Sequence, residues 1–411
     1  MIEVYADSIE EARDSAEATS LTRRRIAVWQ EVRGEGATWG EYREYANRSL
    51  KYFVEESLNE AVSRKIGVRW YKRSDGRTGY RNGFYERLLV TPYGSVTVRV
   101  PRLRDGSYEH ELFGKQKLLT EEVGKLVMDA YLAGISTRRV GEVLEKVLGY
   151  RVSAGTVSEV CKGLDKLVRE YWRRPIPDKY QYLILDAIVV KNRSAMGSEK
   201  RYILVAVGID YDGNREILAF KQVESESEVA WETFVLDMFN RGLLGEHLEL
   251  ITTDGNAGLI AALDSVWPYV RRQRCWFHKQ GNIATKVRKR NQAECLSGVR
   301  RIYYSRTRTE AVRAFREWVS RWKEEEPKAV TCLTKDIEEL LSIFEIPEEH
   351  RVAMRTTNLI ERVFREVKRR TRPMNCFTNR RSVDRMLYAI LIRQNKLWSE
   401  GRPLPNFTHS A

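Results

Sequence analysis

The chain has 411 residues, 42% hydrophobic and 31% charged, enough apolar content for a sizeable core and too much for global disorder. Lys and Arg total 71 against 57 Asp and Glu, a net charge of +14, which favours a polyanionic partner such as nucleic acid. No apolar run reaches the roughly 18 residues of a bilayer span, and the opening MIEVYADSIEEARD is acidic without an apolar segment, so neither a membrane partner nor a secretory signal is expected.

Residues 1–66 read as an N-terminal helical region. Ser8 and Glu11 make a capping box, and a long helical pattern runs through TWGEYREYANRSLKYFVEESLNEAV. Residues 67–117 form a β-hairpin region, because YRNGFYERLLVTPYGSVTVRVPRLR (80–104) alternates apolar and polar residues around Pro92-Tyr93-Gly94. Residues 118–175 return to helical period with helix-turn-helix proportions. Ser136 or Thr137 caps a helix to about Leu148, Gly149-Tyr150 break it, and Ser153 caps a second. Such a pair either enters a major groove or packs as an ordinary helical hairpin. Arg138 and Arg139 are its candidate DNA contacts.

Pro175 and Pro177 punctuate the next boundary. QYLILDAIVVK (181–191) is nearly continuous apolar sequence, a strand covered on both faces, with Asp186 in its middle. A carboxylate there is costly unless a metal ion or an arginine compensates it. RYILVAVGID (201–210) and REILAFKQV (215–223) follow as strands joined by a turn at Tyr211-Asp212-Gly213-Asn214. A helix over 227–243 leads to LELITT (248–253), which ends in Asp254-Gly255-Asn256. Three antiparallel strands, a helix and a further strand are the element order of the α/β ribonuclease H-like fold. In open α/β sheets sites gather where strands end, and Asp254 stands there as a site residue, a turn residue or a helix cap. YVRRQRCWF (269–277) reads as the last strand of the first part of this core, 176–277.

Residues 278–350 carry helical period, as in TEAVRAFREWVSRW (309–322), and read as a helical insertion. Charge reverses across it: 271–323 holds sixteen Lys and Arg against three Glu, and 324–350 holds nine acids against two bases. The second part of the core, 351–411, ends in C-terminal helices. In RTTNLIERVFREVKRRTRP (355–373), Leu359, Ile360, Val363 and Val367 make an apolar stripe with Glu361 at its edge. Glu361 is either a functional acid or the capping partner of Asn358, with Glu366 the nearest alternative acid. Arg365, Lys368, Arg369 and Arg370 belong to a second basic block and are candidate DNA contacts.

The five cysteines (161, 275, 295, 332 and 376) show no C-x-x-C spacing, so a reducing, cytoplasmic setting without a disulfide framework is expected. Cys275 and His278 lie three apart, too few ligands for a tetrahedral zinc site. Trp276 between them is either a core residue or a platform for an unpaired base.

YLILDAIVVK, LITTDGNAGL, QRCWFHKQGNI and RTTNLIERVFREVKRRTR, with GYRNGFYERLLVTPYGSVTVRVPRLRDGSYE upstream, together resemble the Mutator-type bacterial insertion-sequence transposases over about residues 60–398. The resemblance implies an Asp-Asp-Glu triad of Asp186, Asp254 and Glu361 as catalytic residues and metal ligands. It marks Cys275 and His278 as a C-x-x-H signature in a supporting role. The implied activity is cleavage of element ends and strand transfer, by a copy-out–paste-in route. Two Mg²⁺ or Mn²⁺ ions about 4 Å apart would serve such chemistry. Expected partners are double-stranded DNA, as terminal inverted repeats and target, and a second copy of the chain, since two ends must be joined. A ribonuclease H-like junction nuclease and a non-catalytic DNA-binding regulator are the alternatives.

Overall fold

The computed structural model describes residues 38–69, 75–104, 119–133, 135–194, 197–372, 377, 379–405 and 407; the expected Ser8–Glu11 cap and Cys376 lie outside them. Two compact units divide the chain, Met1–Cys161 and Lys162–Ala411. Among the described residues no helix is long and apolar enough to cross a membrane.

In the first unit, α1 (Trp39–Ile66) opens with a capping box of Thr38 and Glu41 and closes on Gly67 at φ 72°. Strands β1 (Arg81–Thr91) and β2 (Gly94–Leu103) form the expected antiparallel hairpin, with Thr91 opposite Gly94. Alternation turns Leu89, Val96, Val98 and Val100 onto Val54 and Leu58 of α1. Helices α2 (Glu121–Leu132), α3 (Thr137–Leu148) and α4 (Ala154–Cys161) come next. Ser136 caps α3, Gly149 ends it in the left-handed region, and the Ser153 hydroxyl accepts the Thr156 amide at 3.0 Å. These helices stand where the sequence pattern puts them. Gly141 permits a close approach, since a Cβ there would meet the Val152 carbonyl oxygen at 2.2 Å. Arg138 and Arg139 are exposed on the first turn of α3.

The second unit begins with α5 (Leu164–Arg173). The sequence pattern groups this helix with residues 118–175, but its contacts lie with the strands and the C-terminal helix of the second unit. The Tyr171 hydroxyl donates to the Ile217 carbonyl at 2.6 Å, and Asp165 pairs with buried Arg385 at 2.6 Å.

A five-stranded sheet forms the centre of this unit, in the order β5-β4-β3-β6-β7. β3 (Tyr180–Ser194), β4 (Gly197–Asp210) and β5 (Arg215–Val223) are antiparallel neighbours. β6 (Leu250–Thr253) and β7 (Arg271–Arg274) extend the sheet in parallel, giving an α/β unit with a mixed sheet. The β3–β4 ladder runs to Ser194 opposite Gly197, so both strands outrun the lengths the apolar pattern marks. β7 is shorter than the expected 269–277: Cys275 already caps the next helix, α8 (Trp276–Ala284).

Side-chain alternation sorts the sheet's faces. Leu183, Leu185, Leu204, Leu218 and Ile251 share one core with Trp231, Phe234 and Met238 of α6 (Glu228–Asn240) and Leu259 and Leu263 of α7 (Ala257–Val266). After α8 come α9 (Gln292–Tyr303), α10 (Arg308–Trp322), α11 (Pro327–Lys335) and α12 (Ile337–Leu341). They close a second core around Trp276, Trp318, Trp322 and Leu340. α13 (Glu348–Met354) precedes α14 (Asn358–Thr371), which packs on β3, and α15 (Arg380–Ser399), which packs on β5 and α5.

Candidate active site

Asp186 sits in β3 opposite Val205 of β4, only 7% exposed, with its Oδ1 accepting the Ala187 amide at 2.8 Å. On the other side of β3, the parallel register pairs Ile184 with Thr252 of β6. Asp186 stands two residues beyond Ile184, and Asp254 stands one residue past the end of β6, near enough for its charge to act on Asp186. Asp186 falls on the sheet face away from Leu185, toward α14. Burial first, and the neighbouring Asp254 charge second, push the Asp186 carboxyl up to about 7; Glu361 adds to the rise and His278 opposes it.

Asp254 lies half-buried just past β6 and holds a tight turn, with its Oδ1 accepting the Asn256 amide at 2.8 Å. The helix cap is Asn256 itself, whose side chain accepts the Gly258 and Leu259 amides. Gly255 adopts φ +88°, and a Cβ there would meet the Arg274 guanidinium at 2.3 Å. Arg274 donates to the Gly255 carbonyl at 3.0 Å and pairs with Asp336 at 2.6 Å and Glu339 at 3.2 Å. Asp336 also meets buried Lys279. A fourth acid, Glu226, accepts from Asn256 at 3.2 Å and is held above the usual carboxylate range by burial and by Asp254.

Glu361 arrives on the first turns of α14. The helix is preceded by Thr357 at its N-cap and shows no side-chain capping bond, so the Asn358–Glu361 capping pair does not form. Thr357 is fully buried at the junction of three partners. Its hydroxyl lies 3.1 Å from Glu361 Oε1, 3.4 Å from Cys275 Sγ and 3.5 Å from His278 Nδ1, and its amide donates to Cys275 Sγ at 3.3 Å. His278 Nε2 stands 4.0 Å from Glu361 Oε1. Cys275 is anchored by its amide to the Thr253 carbonyl at 2.7 Å, at the end of the strand that delivers Asp254. The hydrogen bond to the Cys275 sulfur, with the charges of Cys275, Asp186 and Asp254, raises His278 to about 9 against the opposing effect of burial.

The described residues thus gather Asp186, Asp254, Cys275, His278 and Glu361. The side chains whose ligand atoms all lie within 4.8 Å of one another are Cys275, His278 and Glu361. Asp186 and Asp254 offer hard oxygen donors of the kind Mg²⁺ and Mn²⁺ accept, in a pair whose mutual repulsion a divalent cation would relieve. Glu226 lies outside every motif block, and Arg274 and Thr357, although inside the blocks QRCWFHKQGNI and RTTNLIERVFREVKRRTR, are not marked as site residues by residue type or spacing.

The expected DNA contacts divide. Trp276 is wholly buried, and its indole N–H donates to the Leu340 carbonyl at 3.0 Å, so it is a core residue and not a base platform. Arg370 is 4% exposed and paired with Glu366 at 2.8 Å, which removes it from the surface as well. Glu366, bonded to Arg369 and Arg370, is held down at about 2 and is committed to those arginines. Arg365, Lys368 and Arg369 are exposed on α14. Arg138 and Arg139 belong to the other compact unit.

Over residues 32–401 the chain matches the family model described as "Transposase, Mutator family". It is 32% identical over 351 residues to the transposase for insertion sequence element ISRM5 of Rhizobium meliloti (strain 1021), covering 85% of this chain and 88% of that protein. It is 34% identical over 365 residues to the IS406 transposase of Burkholderia multivorans, covering 88% and 93%. With the transposase of IS256 in Tn4001 from Staphylococcus aureus it shares 31% identity over 338 residues, 81% and 85% of the two chains.

Proposed function

Because the chain belongs to the Mutator family of transposases, we propose that it cuts the ends of an insertion sequence and joins them to target DNA at Asp186, Asp254 and Glu361. The observation that carries this reading is the parallel pairing of β3 with β6, which brings Asp186 near Asp254 just past the end of β6, with the Glu361 helix packed on β3. The order β5-β4-β3-β6-β7, three strands antiparallel and two parallel, supports a ribonuclease H-like core interrupted by the helices between β7 and α14.

Asp186, Asp254 and Glu361 would hold two Mg²⁺ or Mn²⁺ ions, which supply charge stabilisation at the attacking and leaving oxygens of an in-line displacement. In the first step a water oxygen bonds to the phosphorus as the bond to the 3′ oxygen breaks. The water proton passes to solvent, and the 3′ oxygen takes up a proton and leaves as a hydroxyl. In the second step that hydroxyl loses its proton to solvent and attacks a target phosphodiester, forming the joining bond as the target's 3′ oxygen departs and takes up a proton. His278 offers a ring N–H to a phosphate oxygen, while Thr357 and Cys275 orient the imidazole and the Glu361 carboxylate. The partners in this reading are double-stranded DNA, at the terminal repeats and the target, and a second copy of the chain. The setting is the cytoplasm.

The test uses Asp186→Asn, Asp254→Asn and Glu361→Gln on a labelled element end, identified as the inverted repeats flanking the gene. Each should slow nicking and strand joining by at least ~10²-fold, as lost transition-state stabilisation commonly does. Gel-shift affinity should hold or rise, because each change removes a negative charge from the phosphate's surroundings. Full activity of a folded Glu361→Gln would remove Glu361 from the site. A parent protein that binds ends without nicking them in Mg²⁺ or Mn²⁺ is a regulator, and one that cuts branched junctions without joining strands is a junction nuclease.

A further inference from the structure

The catalytic reading uses one side of α8 and α14 and leaves the adjoining side unexplained. A cleft of about 440 Å³ lies there, within the size range of small-ligand sites. The same helices supply its walls: Phe277, next to His278, from α8, and Leu359 and Arg362, flanking Glu361, from α14. Two aromatic rings of its lining stand in solvent, Phe277 at 55% and Tyr304 at 61% exposure.

These rings are held, not loose. Tyr304 lies 4.5 Å from Tyr303, Tyr303 lies 5.2 Å from buried Trp276, and the Arg355 guanidinium sits 4.6 Å over Tyr304. A ladder of rings therefore runs from the core to the cleft, and Phe277 packs edge-on against His278 at 5.9 Å. Arg355 and Arg362 line the cleft against a single acid, Glu349, so the lining carries a positive balance. The exposed ring of Phe277, and the part of Tyr304 that Arg355 does not cover, suit a nucleobase turned out of its strand, with Arg362 facing the adjacent phosphate.

We propose that this cleft receives one unpaired base of the DNA strand next to the phosphate being cut. The inference rests on the transposase reading and adds a subsite to it. Turning a base out of a duplex is costly, and base–aromatic stacking offsets part of that cost. Every base has a π face, so the subsite tolerates sequence and selects frayed or already cut ends.

The experiment compares a blunt duplex with the same duplex extended by a short unpaired thymidine tail containing 2-aminopurine. The full-length parent should bind the tailed DNA about 5- to 150-fold more tightly, the share of one stacked base, and quench the 2-aminopurine emission. Phe277→Ala and Tyr304→Ala should each lose most of that preference while binding the blunt duplex as the parent does, and Tyr304→Phe should keep it. Both side chains are more than half exposed, so truncation spares the core, and a thermal melt verifies this. Equal binding of the two DNAs by the parent overturns the proposal and leaves the cleft to another ligand, such as a peptide. Alanine variants that retain both preference and quenching overturn it as well. Nicking of a fully paired end by the parent is scored separately. Nicking without tail preference sinks the subsite alone, and tail preference without nicking sinks the transposase reading alone.

Discussion

The guanidinium of Arg274 donates to the carbonyl of Gly255 at 3.0 Å, one residue beyond Asp254. The same side chain pairs with Asp336 and Glu339 across the helices beyond β7, so the loop carrying one candidate acid is tied to the helical segment. Arg274→Ala leaves Asp336 with Lys279 as its remaining ion-pair partner, so it should cost about 1–3 kcal/mol, less than the loss that follows when a buried charge is left uncompensated. Arg274→Lys keeps a charge but lacks the planar fork that reaches Gly255 and both acids at once. It should melt close to the parent yet nick roughly tenfold more slowly, because a displaced loop loses a fraction of the ~10² that good positioning supplies. Single-turnover nicking beside a melting curve checks both, and a Lys variant that nicks at the parent rate would relegate Arg274 to stability alone.

Thr357 is a positioning residue by the same logic. Its hydroxyl has one proton and three neighbours, Glu361, Cys275 and His278. Thr357→Val keeps the shape and removes the hydroxyl, at a cost of about 1–2 kcal/mol in stability. Nicking should fall at least ~10-fold and the Mg²⁺ concentration for half-maximal rate should rise, as losses beside a metal site usually produce. Thr357→Ser should restore both. A Val variant with unchanged Mg²⁺ dependence would mean that the hydroxyl serves packing only.

The burial of Asp186 makes a prediction about pH. Its carboxyl is pushed up to about 7 in the folded chain, against an ordinary value near 3.9. Between these values the folded protein keeps a proton that the unfolded chain has lost, so this residue makes stability fall as pH rises through that window. Asp186→Asn abolishes the titration. In EDTA above pH 7 the variant should therefore be more stable than the parent, by about 1–3 kcal/mol, with the difference fading toward pH 4. Nicking by the parent should rise with pH through the same range. Added Mg²⁺ should move the midpoint downward, because the cation competes with the proton. Melting curves from pH 4 to 8 decide the first part; an Asn variant that melts below the parent at pH 8 contradicts it.

The two basic blocks predict salt dependence. If exposed arginines and lysines of 271–323 and 361–396 contact phosphates, log affinity should fall by about 0.9 per neutralised phosphate for each unit of log salt. On α14 the two kinds of base separate. Lys368→Ala, at an exposed position, should lower the slope by about 1 and leave melting unchanged. Arg370→Ala breaks a buried pair with Glu366 and should destabilise the fold. A flat titration between roughly 50 and 200 mM salt would show that the blocks are merely solvated.

Much of this protein is local in origin and was legible in its sequence. Alternation marks the hairpin around Pro92-Tyr93, and Ser136, Gly149 and Ser153 mark the ends of α3 and α4, because strand period and helix caps depend on near neighbours. Asp186 stands out as a carboxylate inside an apolar run, and the order of strands and helices through β6 comes from periodicity alone. Tertiary structure decided what meets. In Cys275-Trp276-Phe277-His278 the change from strand to helix at Cys275 replaces a two-residue period by a helical one. It buries Cys275 and Trp276 together and leaves Phe277 at 55% exposure, whereas a strand through 277 would put Cys275 and Phe277 on one face. Cys275 and Thr357 bond across 82 residues, and Arg274 and Glu339 across 65. Contacts closed over such distances are set by the register of β6 on β3 and the packing of α14 on the sheet, which are cooperative properties of the folded chain that no residue window contains.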